Sequence, residues 1–193
     1  MVEGEDYSLL IKDKTSIHDI LITTHKSHIR KQQLLAARYL LQELTTQPSL
    51  IIAYTTHGKP FIKDSEYHIS ISHTKQFIAL ILSKEKKVGI DIEILDKRIL
   101  RIENKFLRPD EKSFINQNHY LEQLYIIWST KEVLFKIHEK GGIIFKENLR
   151  IHPFPFLSKG TLQATIITNE YQKTYTVNYE TIDDLIIVYA LED

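Results

Sequence analysis

The hydrophobic period changes along the chain, and each change marks an element. Between residues 28 and 44, Leu34, Leu35, Arg38, Leu41 and Leu44 recur at helical spacing with Arg30, Lys31 and again Arg38 at the margins, which predicts a helix. Pro48 follows as a stop. Residues 50–54 read as a strand, and Thr56-His57-Gly58-Lys59-Pro60 as the turn after it. Over residues 67–72 the period drops to two: Tyr67, Ile69 and Ile71 alternate with His68, Ser70 and Ser72, so the second set should share a face. Residues 77–82 return as an almost continuously apolar strand, and the polar stretch 85–87 predicts a hairpin into a third. Together these three read as an antiparallel meander, with the Ser72-His73 turn and the end of the third strand on one sheet.

That third strand is the most informative stretch. Val88, Ile90 and Ile92 alternate with Gly89, Asp91 and Glu93, so both carboxylates should emerge on one face while Ile90 and Ile92 bury on the other. Carboxylates side by side repel unless a cation, a shared proton or a hydrogen-bond network compensates. Further on, residues 97–107 predict a short helix, and Pro109 with Asp110 and Glu111 a second helix start. The pattern over 121–138, with Leu124, Ile127, Val133, Leu134 and Ile137, predicts the main helix of the second half, closed by Gly141-Gly142. Residues 143–160 read as a packed loop, and 161–168, 173–179 and 184–190 as three closing strands. Near the start, 7–11 reads as a short strand and 16–29 as a loose helix or turn. By layout the chain falls into halves, 1–92 and 93–193, each with one main helix and about three strands. No linker separates them, which predicts an α+β body with a central cleft.

Composition narrows the classes. Apolar residues make up 42% of the 193, enough for a core. Lysine plus arginine equals aspartate plus glutamate at 25 each, so net charge selects neither a nucleic acid nor a membrane as partner. Cysteine is absent, which excludes disulfides, thiolate metal sites and cysteine nucleophiles. The first six residues are acidic and lack the order of a signal peptide, and no apolar run reaches the roughly 18 residues of a membrane span. A cytoplasmic protein is the expectation.

In the main helix of the second half, Glu132 and Lys136 lie one turn apart, with Trp128 one turn before them on the same face. Asp91 and Glu93 alone read equally as a solvated strand edge, and Glu132 with Lys136 as a surface ion pair. The tight apolar surroundings and Trp128 argue for partial burial, where charge needs a partner. Three carboxylates and a lysine that can converge point to a divalent metal handling a phosphate; Mg²⁺ suits such oxygen donors. Upstream, Lys59 in its Gly-Pro turn and His73 at a strand end are plausible anion ligands, each weak alone. Arg30, Lys31 and Arg38 read equally as a solvated helix margin. The nine histidines show no His-x-His or His-x-x-x-His spacing, which disfavours zinc, and no phosphate loop, dinucleotide fingerprint or nucleophile elbow is present.

Gly89-Ile90-Asp91-Ile92-Glu93, followed by Trp128-Ser129-x-Lys131-Glu132-x-x-x-Lys136, resembles the paired signature of 4′-phosphopantetheinyl transferases. Gly58-Lys59-Pro60 and Ile71-Ser72-His73 resemble the upstream motifs of the larger, single-chain, surfactin-synthetase-activator type, and the resemblance spans about residues 28–142. It implies a pseudo-dimer of two similar α/β halves, each an antiparallel sheet with a main helix, and coenzyme A in the cleft between them. The implied reaction transfers the phosphopantetheine arm of coenzyme A to a serine of an apo acyl or peptidyl carrier protein, with Mg²⁺, releasing 3′,5′-ADP. On the resemblance, Asp91, Glu93 and Glu132 match the magnesium-associated acids and Lys136 the lysine near the pyrophosphate. Asp91, Glu132 and Lys136 carry the chemistry, with Glu132 the candidate base. Lys59 and His73 match coenzyme A phosphate positions, and Arg30 or Lys31, ahead of Arg38, the 3′-phosphate. Lys131 belongs to the motif without an assigned contact. Arg101, Lys105, Phe106, Leu107 and Arg108 form either a docking patch for the carrier or an amphipathic helix packed on the core. A monomer is implied. A magnesium-dependent phosphohydrolase and a non-catalytic coenzyme A-binding protein are the alternatives.

Overall fold

The computed structural model describes all residues except 1–27, 46, 48, 140 and 193. The readings of 7–11 and 16–27, of Pro48 and of the chain's start therefore lie outside the described residues. The chain divides into two compact units, Met1–Glu85 and Lys86–Asp193. The division falls seven residues before the expected one, because the strand carrying Asp91 belongs wholly to the second unit.

In the first unit, helix α1 (His28–Leu44) buries Leu34, Leu35, Ala36, Ala37 and Leu41. Strands β1 (Ile52–Tyr54) and β2 (Pro60–Ile62) pair antiparallel with Ile52 opposite Ile62. Strands β3 (His68–His73) and β4 (Ile78–Ser83) form a second antiparallel pair, His68 opposite Ser83. Ala37, Leu41, Ile52, Ile62 and Ile69 make one core between helix and strands. Leu44, placed on the apolar stripe by its spacing, is exposed. Arg38 is not a solvated margin: it is buried and donates to the carbonyls of Leu34 (3.4 Å) and Ile52 (3.3 Å), tying α1 to β1.

The second unit is one five-stranded antiparallel sheet in the order β5-β9-β8-β7-β6, with strands Val88–Ile94, Leu149–Ile151, Lys159–Ile167, Gln172–Ile182 and Leu185–Leu191 numbered β5 to β9 in chain order. The three closing strands appear as expected. The meander does not: among the described residues β3 and β4 pair only with each other, and all seven residues of β5 pair with β9, Val88 opposite Leu191 through Ile94 opposite Leu185. Adjacency in sequence suggested β4 as the partner, but the seven-rung ladder that β9 offers is the pairing β5 adopts.

Between β5 and the main helix lie a 3-10 segment (Lys97–Arg101) and the single turns α2 (Glu103–Phe106) and α3 (Pro109–Lys112), where one short helix was predicted over 97–107. Asp96 starts the 3-10 segment by accepting from the Arg98 N–H (2.8 Å). Helix α4 (Tyr120–His138) follows. It ends at Glu139, whose left-handed backbone breaks the helix two residues before Gly141. Residues 143–160 are not all loop: they contain a helical turn, α5 (Phe145–Asn148), and the edge strand β6. Helix α4 lies on the sheet, and Leu124, Ile126, Ile127, Val133, Leu134 and Ile137 pack into the core with Ala164, Ile166, Val177, Ile186 and Val188.

Candidate active site

Gly89 decides how β5 meets α4. A Cβ placed there would stand 2.6 Å from the Val133 carbonyl oxygen and 3.0 Å from the Ile137 side chain, so only a hydrogen at this position lets the strand lie so close to the helix. Asp91 and Glu93 follow Gly89 on the same face at period two. The face that carries both carboxylates is therefore the one covered by α4, and Asp91 is 5% exposed. Ile90 and Ile92, on the opposite face, are buried as well.

Trp128, Glu132 and Lys136 succeed one another at one-turn intervals on α4, and each is half-buried. Lys136 Nζ donates to the Ile90 carbonyl (2.7 Å) and to Asp91 Oδ1 (2.9 Å). At the other end, Trp128 Nε1 donates to Glu93 Oε1 (3.2 Å). Glu132 lies between these two anchors on the helix. Its carboxyl is pushed up to about 7, first by burial and then by the charge of Asp91, with Lys136 opposing and Glu93 adding. Burial and Asp91 also raise Glu93, while the indole N–H and Lys136 pull it back. Two motifs forty residues apart thus meet in one electrostatically coupled group. The helix–sheet interface, rather than an exposed edge or a surface ion pair, is what they build.

Among the described residues, no group of three His, Asp or Glu side chains is closed around a point that would hold a metal ion. Asp91 and Glu93 each have an oxygen engaged by Lys136 or Trp128. The chemistry of the donor set nevertheless suits a hard cation: it is all oxygen, and the mutual repulsion that raises Glu93 and Glu132 is what a divalent ion would relieve.

Lys131, unassigned from sequence, faces away from this group and is fully buried. Its ammonium donates to Glu111 Oε2 (2.7 Å) and to the Phe106 carbonyl (2.7 Å). Burial pulls the lysine down and Glu111 holds it up. Glu111 also accepts from the backbone N–H groups of Arg108 (2.9 Å) and Ile151 (2.9 Å). Glu111 was read only as an acid favourable at a helix start. The capping spacing from Arg108 was visible, but its long-range partners were not.

In the first unit, Arg30 on α1 donates to Nε2 of His73 at the end of β3, which requires the tautomer with that nitrogen unprotonated. Gln33, one turn on and missed from sequence, accepts from Arg30 (3.4 Å) and donates to the Thr74 carbonyl (3.0 Å). Lys31 neighbours Arg30 on α1. Lys59 lies in the β1–β2 turn, where Gly58 takes a positive φ of 79° and the Lys59 N–H bonds Thr55 Oγ1 (3.1 Å). The structure thus joins Arg30 to His73 and places Lys31 and Lys59 within the same unit. It divides the patch after β5: Phe106 and Leu107 are core residues, whereas Arg101 and Lys105 are exposed.

Residues 87–190, more than half of the chain, match the model of the 4′-phosphopantetheinyl transferase superfamily, and the protein belongs to that family. It is 32% identical over 119 residues to the 4′-phosphopantetheinyl transferase AcpT of Escherichia coli (strain K12), an alignment covering 58% of this chain and 60% of that one. It is 31% identical over 131 residues to the AcpT of Salmonella typhimurium (64% and 66% covered). With a 4′-phosphopantetheinyl transferase of Bacillus subtilis it shares 34% over 89 residues (44% and 39% covered). The chain thus spans about 60% of the length of the Escherichia coli AcpT relatives it matches. Among the described residues no helix is long and apolar enough to cross a membrane.

Proposed function

We infer that this protein transfers the 4′-phosphopantetheine arm of coenzyme A to a serine hydroxyl of an apo acyl or peptidyl carrier protein, releasing 3′,5′-ADP in an Mg²⁺-dependent reaction. The observation that carries this reading is the meeting of Asp91, Glu93, Glu132 and Lys136 at the β5–α4 interface of the family-defining unit.

Asp91, Glu93 and Glu132 would hold Mg²⁺, which when bound polarises the pyrophosphate and neutralises charge on the leaving group. The serine oxygen forms a bond to the β-phosphorus of coenzyme A, and the bridging P–O bond to the adenosine side breaks. The serine proton passes to Glu132, directly or through a water. Lys136 holds Asp91 in place and offers positive charge toward the departing 3′,5′-ADP. Arg30, Lys31, Lys59 and His73 bind the phosphates of coenzyme A; the family resemblance supports this, together with the Arg30–His73 pairing. The two-unit chain acts as the larger single-chain type, as a cytoplasmic monomer.

The test is intact-mass analysis of an apo carrier incubated with the protein, coenzyme A and Mg²⁺. A mass gain of one phosphopantetheine, absent without metal and in Glu132→Ala, is expected. Cleaved coenzyme A with an unmodified carrier would overturn transfer in favour of hydrolysis. Intact coenzyme A with fatty-acid and peptide-synthetase carriers alike would leave only binding.

A further inference from the structure

Asp91 and Glu93 share a face of β5, yet their partners differ in kind. Asp91 is met by an ammonium, which orients the carboxylate and also cancels its charge. Glu93 is met by the indole N–H of Trp128, a neutral donor that fixes an oxygen and leaves the negative charge in place. The indole is itself fixed by elements other than its own helix. Phe106 of α2, buried to 1% exposure, stands edge-on to it with ring centroids 5.0 Å apart, and Phe145 of α5 lies tilted against it at 5.5 Å. A ring wedged between two others has one polar atom, and that atom is aimed at Glu93.

We propose that Trp128 is a positioning residue: it holds the Glu93 carboxylate, still charged, in the orientation from which it binds a divalent cation. This rests on the reading of Glu93 as a metal ligand. A purely structural Trp128 would be filling space between Phe106 and Phe145, a task phenylalanine performs nearly as well. Only the positioning role depends on the N–H. Outer partners of metal-binding carboxylates act in this way, and losing one typically weakens metal affinity about 10–100-fold.

Trp128 is the chain's single tryptophan, so its indole gives one assigned cross-peak in a ¹H–¹⁵N spectrum. In the metal-free protein, Glu93→Ala should move that peak upfield by removing its acceptor; a peak that stays put overturns the contact. Mg²⁺ binding is then followed by calorimetry on the full chain without coenzyme A. Trp128→Phe should weaken binding about 10–100-fold while preserving the metal-free fold. Glu93→Ala should weaken it at least as much, and the double variant no further than Glu93→Ala alone. Unchanged affinity in Trp128→Phe, with Glu93→Ala impaired, overturns the positioning role and leaves the ligand reading standing. Wild-type affinity in Glu93→Ala, or no Mg²⁺ binding by the wild type, overturns both. If Trp128→Phe fails to fold, the indole peak decides: a shift on adding Mg²⁺ to the wild type that Glu93→Ala abolishes supports the role, and its absence overturns it.

Discussion

At Gly89, a single hydrogen sets the distance between the strand that carries the acids and the helix that carries their partners. Gly89→Ala would drive a methyl against the Val133 carbonyl oxygen, a backbone atom that cannot rotate away. Overpacking of this kind costs about 1–3 kcal/mol, and urea unfolding should show a loss of that size. Activity should fall with it, since every Asp91 and Glu93 contact moves when the strand does. Glu132 makes a different residue-level prediction. Its folded carboxyl titrates at about 7 against an ordinary 4.5, so between those values the folded protein holds a proton that the unfolded chain has lost. That contribution to stability is complete below about 4.5 and declines as pH rises through about 7. Without metal, Glu132→Gln should therefore gain on the wild type in denaturation midpoint as pH increases across this window, and a constant difference would contradict the shift. Period-two alternation placed Asp91 and Glu93 on one face correctly. It could not say that a helix covers that face, because alternation reports sidedness and is blind to what packs on each side.

Helix α4 carries two unlike stripes. One holds Trp128, Glu132 and Lys136; the other brings Lys131 to Glu111 and thereby connects α4 with α2, α3 and β6. A fully buried ion pair broken on one side typically costs 3–5 kcal/mol, about what Lys131→Met should lose in chemical denaturation. Replacing both partners, Lys131→Met with Glu111→Leu, leaves no stranded charge but strands the Ile151 N–H and uncaps Arg108, so the double variant should stay well below the wild type in the same denaturation. The sequence made α4 legible through Leu124, Ile127, Val133, Leu134 and Ile137. Lys131 was not legible, because a lysine inside a helical pattern reads as surface until its distant acceptor is known. The same holds for β6, whose three residues are too few to show a period.

For the whole molecule, the family-defining match begins at residue 87, next to the division into units, so the second unit carries the signature. The upstream motifs locate Lys59 and His73 in the first unit, and pairing with Arg30 is the contact that sequence left open. Partner encounter belongs to this scale too. With Phe106 and Leu107 committed to the core, the surface after β5 offers charge, from Arg101 and Lys105, more than apolar grip. Reversing both to glutamate should raise the KM for an acidic carrier about tenfold at low salt, shrink in effect at high salt, and leave the KM for coenzyme A unchanged. An unchanged carrier KM would exclude the patch.

Glu111 has one more consequence, reached through the Ile151 N–H that it accepts. Among the described residues β6 is the last strand of the sheet, and the next residue, His152, spends its own N–H on Gln163 in β7 (2.9 Å), so the Ile151 donor points away from the ladder. Left bare, an edge donor is where a second chain adds a strand; here the Glu111 carboxylate is seated on it as a stopper and Ile151 is buried. Glu111→Leu would unseat the stopper and loosen α3 from β6, so the variant should be the more adhesive protein when concentrated, visible as light scattering that the wild type does not develop.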